Sequence, residues 1–303
     1  FCMDKKLPII IDVDTGIDDA LALIMAFSSN KLDIKLITTV AGNVDLLTAT
    51  QNTLYVTQKF AKQNIKVCSG AERPLSGKQV FAKHVHGKGG LGNQQFKRQM
   101  LDLKGDAVMQ IAEILRGGAE PITIVGLGAM TNLAGLVTLH PELTHKIKAF
   151  YLMCGSVSGK GNITDYAEFN AYADAEALKI VLNSGVKVVL SPQELGVQTS
   201  LPNELFLCKN TSMREQFVHN LIEGSNETVT DNKFCLHDPN TINALLSPRL
   251  YSYFRADVTV ETEGKTRGQT HIVKNARGKI WVQQIKDLQK TKQDLFNKIY
   301  GEK

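Results

Sequence analysis

Pro8-Ile9-Ile10-Ile11-Asp12-Val13-Asp14-Thr15-Gly16-Ile17-Asp18-Asp19 is the stretch that decides the fold of this chain. Its apolar run, Pro8 to Val13, reads as a strand buried on both faces, the mark of a parallel sheet. The run breaks at Gly16, and Ala20 to Phe27 carries the spacing of an amphipathic helix. Four carboxylates, Asp12, Asp14, Asp18 and Asp19, fall within eight residues at this strand-to-helix turn. Open α/β sheets bind ligands beside the carboxyl ends of their strands. Carboxylates held together repel one another unless a proton or a cation intervenes, and a hard divalent ion with oxygen ligands meets that need. Asp18 and Asp19 alone would be explained by the positive end of the following helix. Asp12 and Asp14, at the strand end, would not.

Outward from this turn the same alternation recurs. Strands are expected at Asp33 to Ala41, around Val67, at Ile122 to Val125, at Ala149 to Met153 and at Val186 to Leu190, the last clear parallel strand. Helices are expected from Leu47 to Lys62, Asp106 to Leu115, after Thr131 as an N-cap, from Asp174, and from Met213 to Ile222. Cys235-Leu236-His237-Asp238-Pro239-Asn240 opens a further helix with proline at its first position. Residues 70 to 104 show little periodicity and many glycines; a loop of that length is usually functional or mobile. Tyr251 to Thr262, His271 to Val273 and Ile280 to Val282 read as a small antiparallel ribbon, and Asp287 to Ile299 as a closing helix. The expected architecture is therefore α/β, one domain over residues 1–303, with a mostly parallel central sheet flanked by helices.

With 303 residues, 43% of them hydrophobic and 21% charged, the chain has the composition of a globular protein with a substantial core. A formal net charge of +5 without a long basic tract gives no reason to expect nucleic acid as a partner. Five scattered cysteines without a Cys-x-x-Cys pair suit a reducing, cytoplasmic setting. No apolar run approaches the length of a membrane span, and the first strand is too short and too acidic for a signal sequence.

Asn43, the segment Gly126 to Asn132, and Asn162 to Asn170 each follow an apolar strand, as the aspartate cluster does. A parallel sheet brings such ends to one edge, and His237-Asp238 must reach them on its own helix. Each piece has a bland reading: Asp238 as a cap, Asn43 as a turn residue, Glu168 as a solvated loop acid. Together they match a pattern. Asp-x-Asp-x-Gly-x-Asp-Asp at 12–19, Ala41-Gly42-Asn43, the Gly-x-x-Thr-Asn at 128–132, Asn162 with Glu168-Phe169-Asn170, and His237-Asp238-Pro239 resemble the nucleoside hydrolases of the inosine-uridine-preferring type. The resemblance runs in order from residue 8 to about 246, and His86-Gly87-Lys88-Gly89-Gly90-Leu91 is similar to the family's active-site loop. Thr15 stands where the family often has proline.

The resemblance implies calcium-dependent hydrolysis of the N-glycosidic bond of ribonucleosides such as inosine or uridine, in nucleoside salvage. It implies Ca2+ held by Asp14, Asp19, the backbone carbonyl of Leu127 and Asp238, an all-oxygen set that suits the ion. Asp14 would be the base toward the attacking water, His237 the acid toward the leaving base, and Asn43 an orienting group. Asp18, His86, Met153, Asn162, Glu168, Phe169 and Asn170 would bind substrate, and Asp12 would support the cluster from behind. A homodimer or homotetramer is implied as well. The loops 80–95 and 223–237 are expected to set the choice between purine and pyrimidine, and Trp281 is expected in core or interface.

Two other readings start from the same residues. Asp12-Val13-Asp14-Thr15 also resembles the opening of a haloacid-dehalogenase-type phosphatase, which needs a later Gly-Asp-x-x-x-Asp. Gly105-Asp106 lacks the second acid. A nucleoside-binding protein without catalysis would not require Asp14 and His237.

Overall fold

The computed structural model describes residues 5–207, 212–226 and 232–301. Eleven strands and eleven α-helices follow one another in these segments. In the amino-terminal half they are β1 (Leu7–Val13), α1 (Ile17–Ser28), β2 (Leu32–Thr39), α2 (Leu46–Phe60), β3 (Val67–Ser69), α3 (Lys83–His86), α4 (Ala107–Gly117), β4 (Ile122–Gly126), α5 (Thr131–Leu139) and β5 (Ile147–Met153). Then come α6 (Phe169–Ala173), α7 (Ala175–Leu182), β6 (Val188–Ser191), α8 (Gln193–Gln198), β7 (Leu201–Pro202), α9 (Met213–Glu223), β8 (Lys233–Phe234) and α10 (His237–Leu246). The chain closes with β9 (Tyr251–Val260), β10 (Thr270–Lys274), β11 (Ile280–Ile285) and α11 (Leu288–Tyr300).

Nine strands form one sheet in the order β10-β9-β11-β6-β5-β4-β1-β2-β3. The chain winds outward from β1 through β2 to β3 on one side, then returns to β4 and winds out through β5 and β6 on the other. The order therefore reverses between β1 and β4, and an open sheet forms its ligand crevice at such a point. Both faces are covered, as the apolar β1 requires. Ile9, Ile11 and Val13 pack into the core shared with α1, α9, α10 and α11. Ile10, with Ile122, Ile124 and Phe150, packs into the opposite core under α4, α5 and α7.

The antiparallel ribbon is an extension of the main sheet. β11 pairs antiparallel with β9 but parallel with β6, Ile280 facing Val188, so Val186 to Leu190 is not the last parallel strand. Trp281 lies half-buried on β11, its ring between the Lys187 ammonium at 5.0 Å and the Arg255 guanidinium at 5.7 Å. Two local expectations are corrected. Thr131 does not cap α5; its hydroxyl donates to Asp174 Oδ2 at 2.7 Å, a partner forty-three residues away. α10 begins at His237, so Pro239 is its third residue, where a missing N–H is equally harmless. The long stretch 70–104 contains only the single turn α3. No helix among the described residues is long and apolar enough to cross a membrane.

Candidate active site

At the junction of β1 and β4 the ladder continues one step past the strands, Leu127 N donating to Asp12 O at 2.8 Å. The side chains that follow β1 are locked there by the turn itself. Asp19 Oδ2 accepts from Gly16 N at 2.9 Å, and Ile17 N donates to His86 Nδ1 at 3.1 Å. That bond makes Nδ1 the acceptor and assigns the ring proton of a neutral His86 to Nε2. Asp14 is held by the turn after β2: Asn43 N donates to its Oδ2 at 2.7 Å and Asn43 Nδ2 to its Oδ1 at 3.2 Å. Gly42 permits this approach, since a Cβ there would lie 2.0 Å from Asp14 Oδ2. Asn43 Nδ2 also reaches Asp19 Oδ2 at 3.1 Å and so ties the two acids.

A cavity of about 320 Å³ opens over these groups, within the range of small-molecule sites. Eleven of the thirteen residues expected in the site line it: Asp18, Asn43, His86, Leu127, Met153, Asn162, Glu168, Phe169, Asn170, His237 and Asp238. Asp14 and Asp19 lie beneath its floor, wholly buried. Glu168 caps α6, its carboxylate accepting from Asn170 N, Ala171 N and Gly155 N at 2.9–3.0 Å. Asn170 Nδ2 donates to Leu127 O at 2.7 Å and to Met153 O at 3.0 Å, joining the ends of β4 and β5. Asn162 Oδ1 accepts from Phe169 N at 2.8 Å. α10 carries His237 and Asp238 into the cavity wall. Gly196 on α8 makes room for the histidine, because a Cβ there would sit 2.1 Å from His237 Nδ1.

Negative charge is crowded here. Burial, then the Asp19 charge, holds the Asp14 carboxyl well above the usual range. Burial and the neighbouring Asp18 push Asp19 up to about 6. Asp238 is also raised strongly, by burial first and then by Asp18, Asp19, Asp14 and Glu168. Its Oδ1 is buried without a hydrogen-bond donor among the described residues. Oxygens of Asp18, Asp19 and Asp238 come within 4.8 Å of one another, the spacing of a cation site. Of the expected carboxylate ligands, Asp19 and Asp238 belong to this triple and Asp14 does not, Asp18 completing it. Asp14 is occupied by Asn43 and Leu127 O by Asn170, but carboxylate and carbonyl oxygens each keep a second lone pair. An all-oxygen, anionic, undercompensated pocket fits a hard divalent cation.

Asp12 does not line the cavity. It is buried within β1, its side chain accepting from Thr38 Oγ1 at 2.5 Å and Asn132 Nδ2 at 2.8 Å. A phosphatase of the alternative type would need this residue exposed as its nucleophile. Asn132 further donates to Thr39 O at 3.0 Å and accepts from Ala71 N at 2.9 Å, so Thr131-Asn132 ties strands together. Sequence reasoning missed Ala82, His84, Val85, Ile163 and Asn226 in the lining. Four of them fall within the loops 80–95 and 223–237 or beside their ends, whose course no local pattern dictates. Residues 227–231 of the second loop lie outside the described residues.

Residues 9–297 match the family model described as inosine-uridine preferring nucleoside hydrolase. The chain belongs to this family. A nucleoside hydrolase is an N-glycosidase, and the cavity is this enzyme's active-site candidate. Among curated relatives, the pyrimidine-specific ribonucleoside hydrolase RihA of Salmonella paratyphi C is 37% identical over 277 residues, 87% of this chain and 88% of its own. RihA of Escherichia coli O7:K1 is 38% identical over 274 residues, with the same coverage. Among solved structures, a plant nucleoside hydrolase aligns over 98% of this chain and 100% of its own with a TM-score of 0.87 at 27% identity. A purine-preferring ribonucleoside hydrolase from Gardnerella vaginalis aligns over 97% and 98% with a TM-score of 0.87 at 25% identity.

Proposed function

We propose that this nucleoside hydrolase is a calcium-dependent enzyme of nucleoside salvage that cleaves ribonucleosides to free base and ribose, with pyrimidine ribonucleosides preferred. One observation carries the reading: the buried acids at the β1–β4 junction and His237-Asp238 of α10 meet in one cavity of nucleoside size. The pyrimidine preference is supported by the RihA relatives, which share more identity with this chain than the purine-preferring neighbour does.

Asp14, Asp19, Asp238 and the Leu127 carbonyl, with Asp18 beside them, would hold the cation. When bound, a divalent ion raises the acidity of water and fixes vicinal hydroxyls. Asp14, its basicity raised by burial and by Asp19, takes the proton from the attacking water. Asn43 keeps that carboxylate in place through two hydrogen bonds. Asp18, Asn162, Glu168 and Asn170 bind ribose hydroxyls, and Met153 and Phe169 exclude water from the sugar face. Hydrolysis of an N-riboside passes through an oxocarbenium-like sugar, which a wall of carboxylates stabilises. His237, on the N-terminal turn of α10, protonates the departing base, and His86 offers its Nε2–H to the substrate. Ca2+ is favoured over zinc because the donors are oxygens and no sulfur or histidine pair joins them.

Buried free thiols at Cys68 and Cys154 support the cytoplasmic setting. The oligomer is a homodimer or homotetramer, which light scattering after gel filtration will test. Incubation with uridine, cytidine and inosine, assayed for reducing sugar, tests the activity. Ribose release is expected from all three, fastest from a pyrimidine nucleoside. Release of phosphate from a sugar phosphate and none of ribose would overturn it.

A further inference from the structure

The segment 155–161, Gly-Ser-Val-Ser-Gly-Lys-Gly, connects β5 to Asn162 and Glu168. Gly155 and Gly159 stand at φ +77° and +70°, so the segment has little conformational preference of its own. Its order comes from α8. Glu194, half-buried at the start of that helix, accepts four hydrogen bonds from it. Ser156 Oγ and Ser158 Oγ donate to Oε1 at 2.8 Å, Ser158 N donates to Oε1 at 2.9 Å, and Val157 N donates to Oε2 at 3.1 Å. Burial works to raise the Glu194 pKa, but the Ser158 N–H and the two hydroxyls outweigh it and hold the group ionised below its ordinary range. Gln193 adds a bond from its amide nitrogen to Gly155 O at 2.9 Å and one from Nε2 to Lys160 O at 2.5 Å. Beyond the segment, Gly155 N donates to Glu168 Oε2 at 2.9 Å, so the tie passes directly into a site residue. At its other end α8 presents Gly196 to His237. One short helix thus touches both the segment that leads to the ribose-binding residues and the leaving-group histidine.

We propose that Glu194 is a positioning residue: by gathering Ser156, Val157 and Ser158 onto α8, it sets where Asn162 and Glu168 stand relative to His237. The proposal rests on the ribose role given to Asn162 and Glu168 above. Three of the four bonds end on Oε1, so a glutamine with its oxygen there keeps three and loses only the Val157 N–H. Displacement of binding groups by about 1 Å costs up to about 10²-fold. Glu194→Ala is therefore expected to raise KM about tenfold or more, equally for uridine and p-nitrophenyl riboside, because ribose is common to both. Glu194→Gln and Ser158→Ala are expected to raise KM by about two- to threefold.

Amide hydrogen exchange on the calcium-loaded enzyme reads the same claim without turnover: residues 156–168 should exchange at least about tenfold faster in Glu194→Ala, with β1 and α1 unchanged. A wild-type KM together with wild-type exchange in a folded Glu194→Ala overturns the proposal. So does a fall in kcat that follows the folded fraction at constant KM. Should the alanine variant fail to fold, unchanged KM and exchange in both Glu194→Gln and Ser158→Ala overturn it equally. A wild type that releases no ribose would refute the functional reading instead, and the exchange experiment would still decide the role of Glu194.

Discussion

Replacing Asp14 by Asn separates catalysis from stability. Asp14 is wholly buried and tied to Asn43 by bonds of 2.7 and 3.2 Å. The amide oxygen of an asparagine keeps the bond from Asn43 N, while its NH2 opposes Asn43 Nδ2, a loss of about 1–3 kcal/mol. Against this, Asn43 Nδ2 bridges Asp14 Oδ1 and Asp19 Oδ2 at 3.2 and 3.1 Å, so those oxygens are about 6 Å apart at most. Two unit charges at that distance repel by about 3 kcal/mol at an effective dielectric constant of about 20. Partial protonation of the raised carboxyls reduces that figure, and the two effects offset to within about 2 kcal/mol. In EDTA the variant should melt within about 8 °C of wild type. Its kcat on uridine, measured by reducing-sugar release at saturating calcium, should fall by at least about 10²–10⁴-fold through loss of the base alone. A folded variant keeping more than a tenth of wild-type kcat would refute the role of Asp14. A melting temperature in EDTA lowered well beyond that window would refute the argument from like-charge repulsion.

Elemental analysis should find one calcium per chain, and EDTA should lower the melting temperature by an amount that grows from pH 5 to pH 8. The sign follows from Asp19 and Asp12, raised to about 6 and about 7: between pH 4 and 7 the native state holds protons that the unfolded state has released, so metal-free stability falls as pH rises, whereas the cation binds better to ionised acids. A gap independent of pH would contradict it. His237→Ala should slow uridine cleavage by about 10²–10⁴-fold and p-nitrophenyl riboside much less, since nitrophenolate leaves without a proton; equal losses would remove His237 from the acid role. Asn132→Ala should cost about 3 kcal/mol in urea unfolding, because it leaves Ala71 N without its acceptor and removes one of two donors from both Asp12 Oδ1 and Thr39 O, with kcat less affected than by Asp14→Asn. A cost under about 1 kcal/mol would show that water replaces the amide.

The primary sequence by itself determined the alternation of strands and helices, because each apolar run and each cap is a local signal. It also named most of the residues that line the candidate cavity. Asp14, Asn43 and Leu127 follow strands and Met153 ends one, and a parallel sheet carries such positions to one edge whatever the details of packing. What it left undecided depends on partners remote in the chain. Thr131 looks like a cap until Asp174 supplies a closer acceptor. β11 looks like part of a separate ribbon until β6 offers it a parallel edge. Asp18, expected at the ribose, completes a carboxylate triple with Asp19 and Asp238, because the turn after β1 and the docking of α10 bring the three together. Glu194 has no motif at all; its meaning comes from four donors thirty-six to thirty-eight residues upstream in the chain. Local pattern reports which residues can bond, and only the packed sheet and helices decide which of them come within about 3 Å.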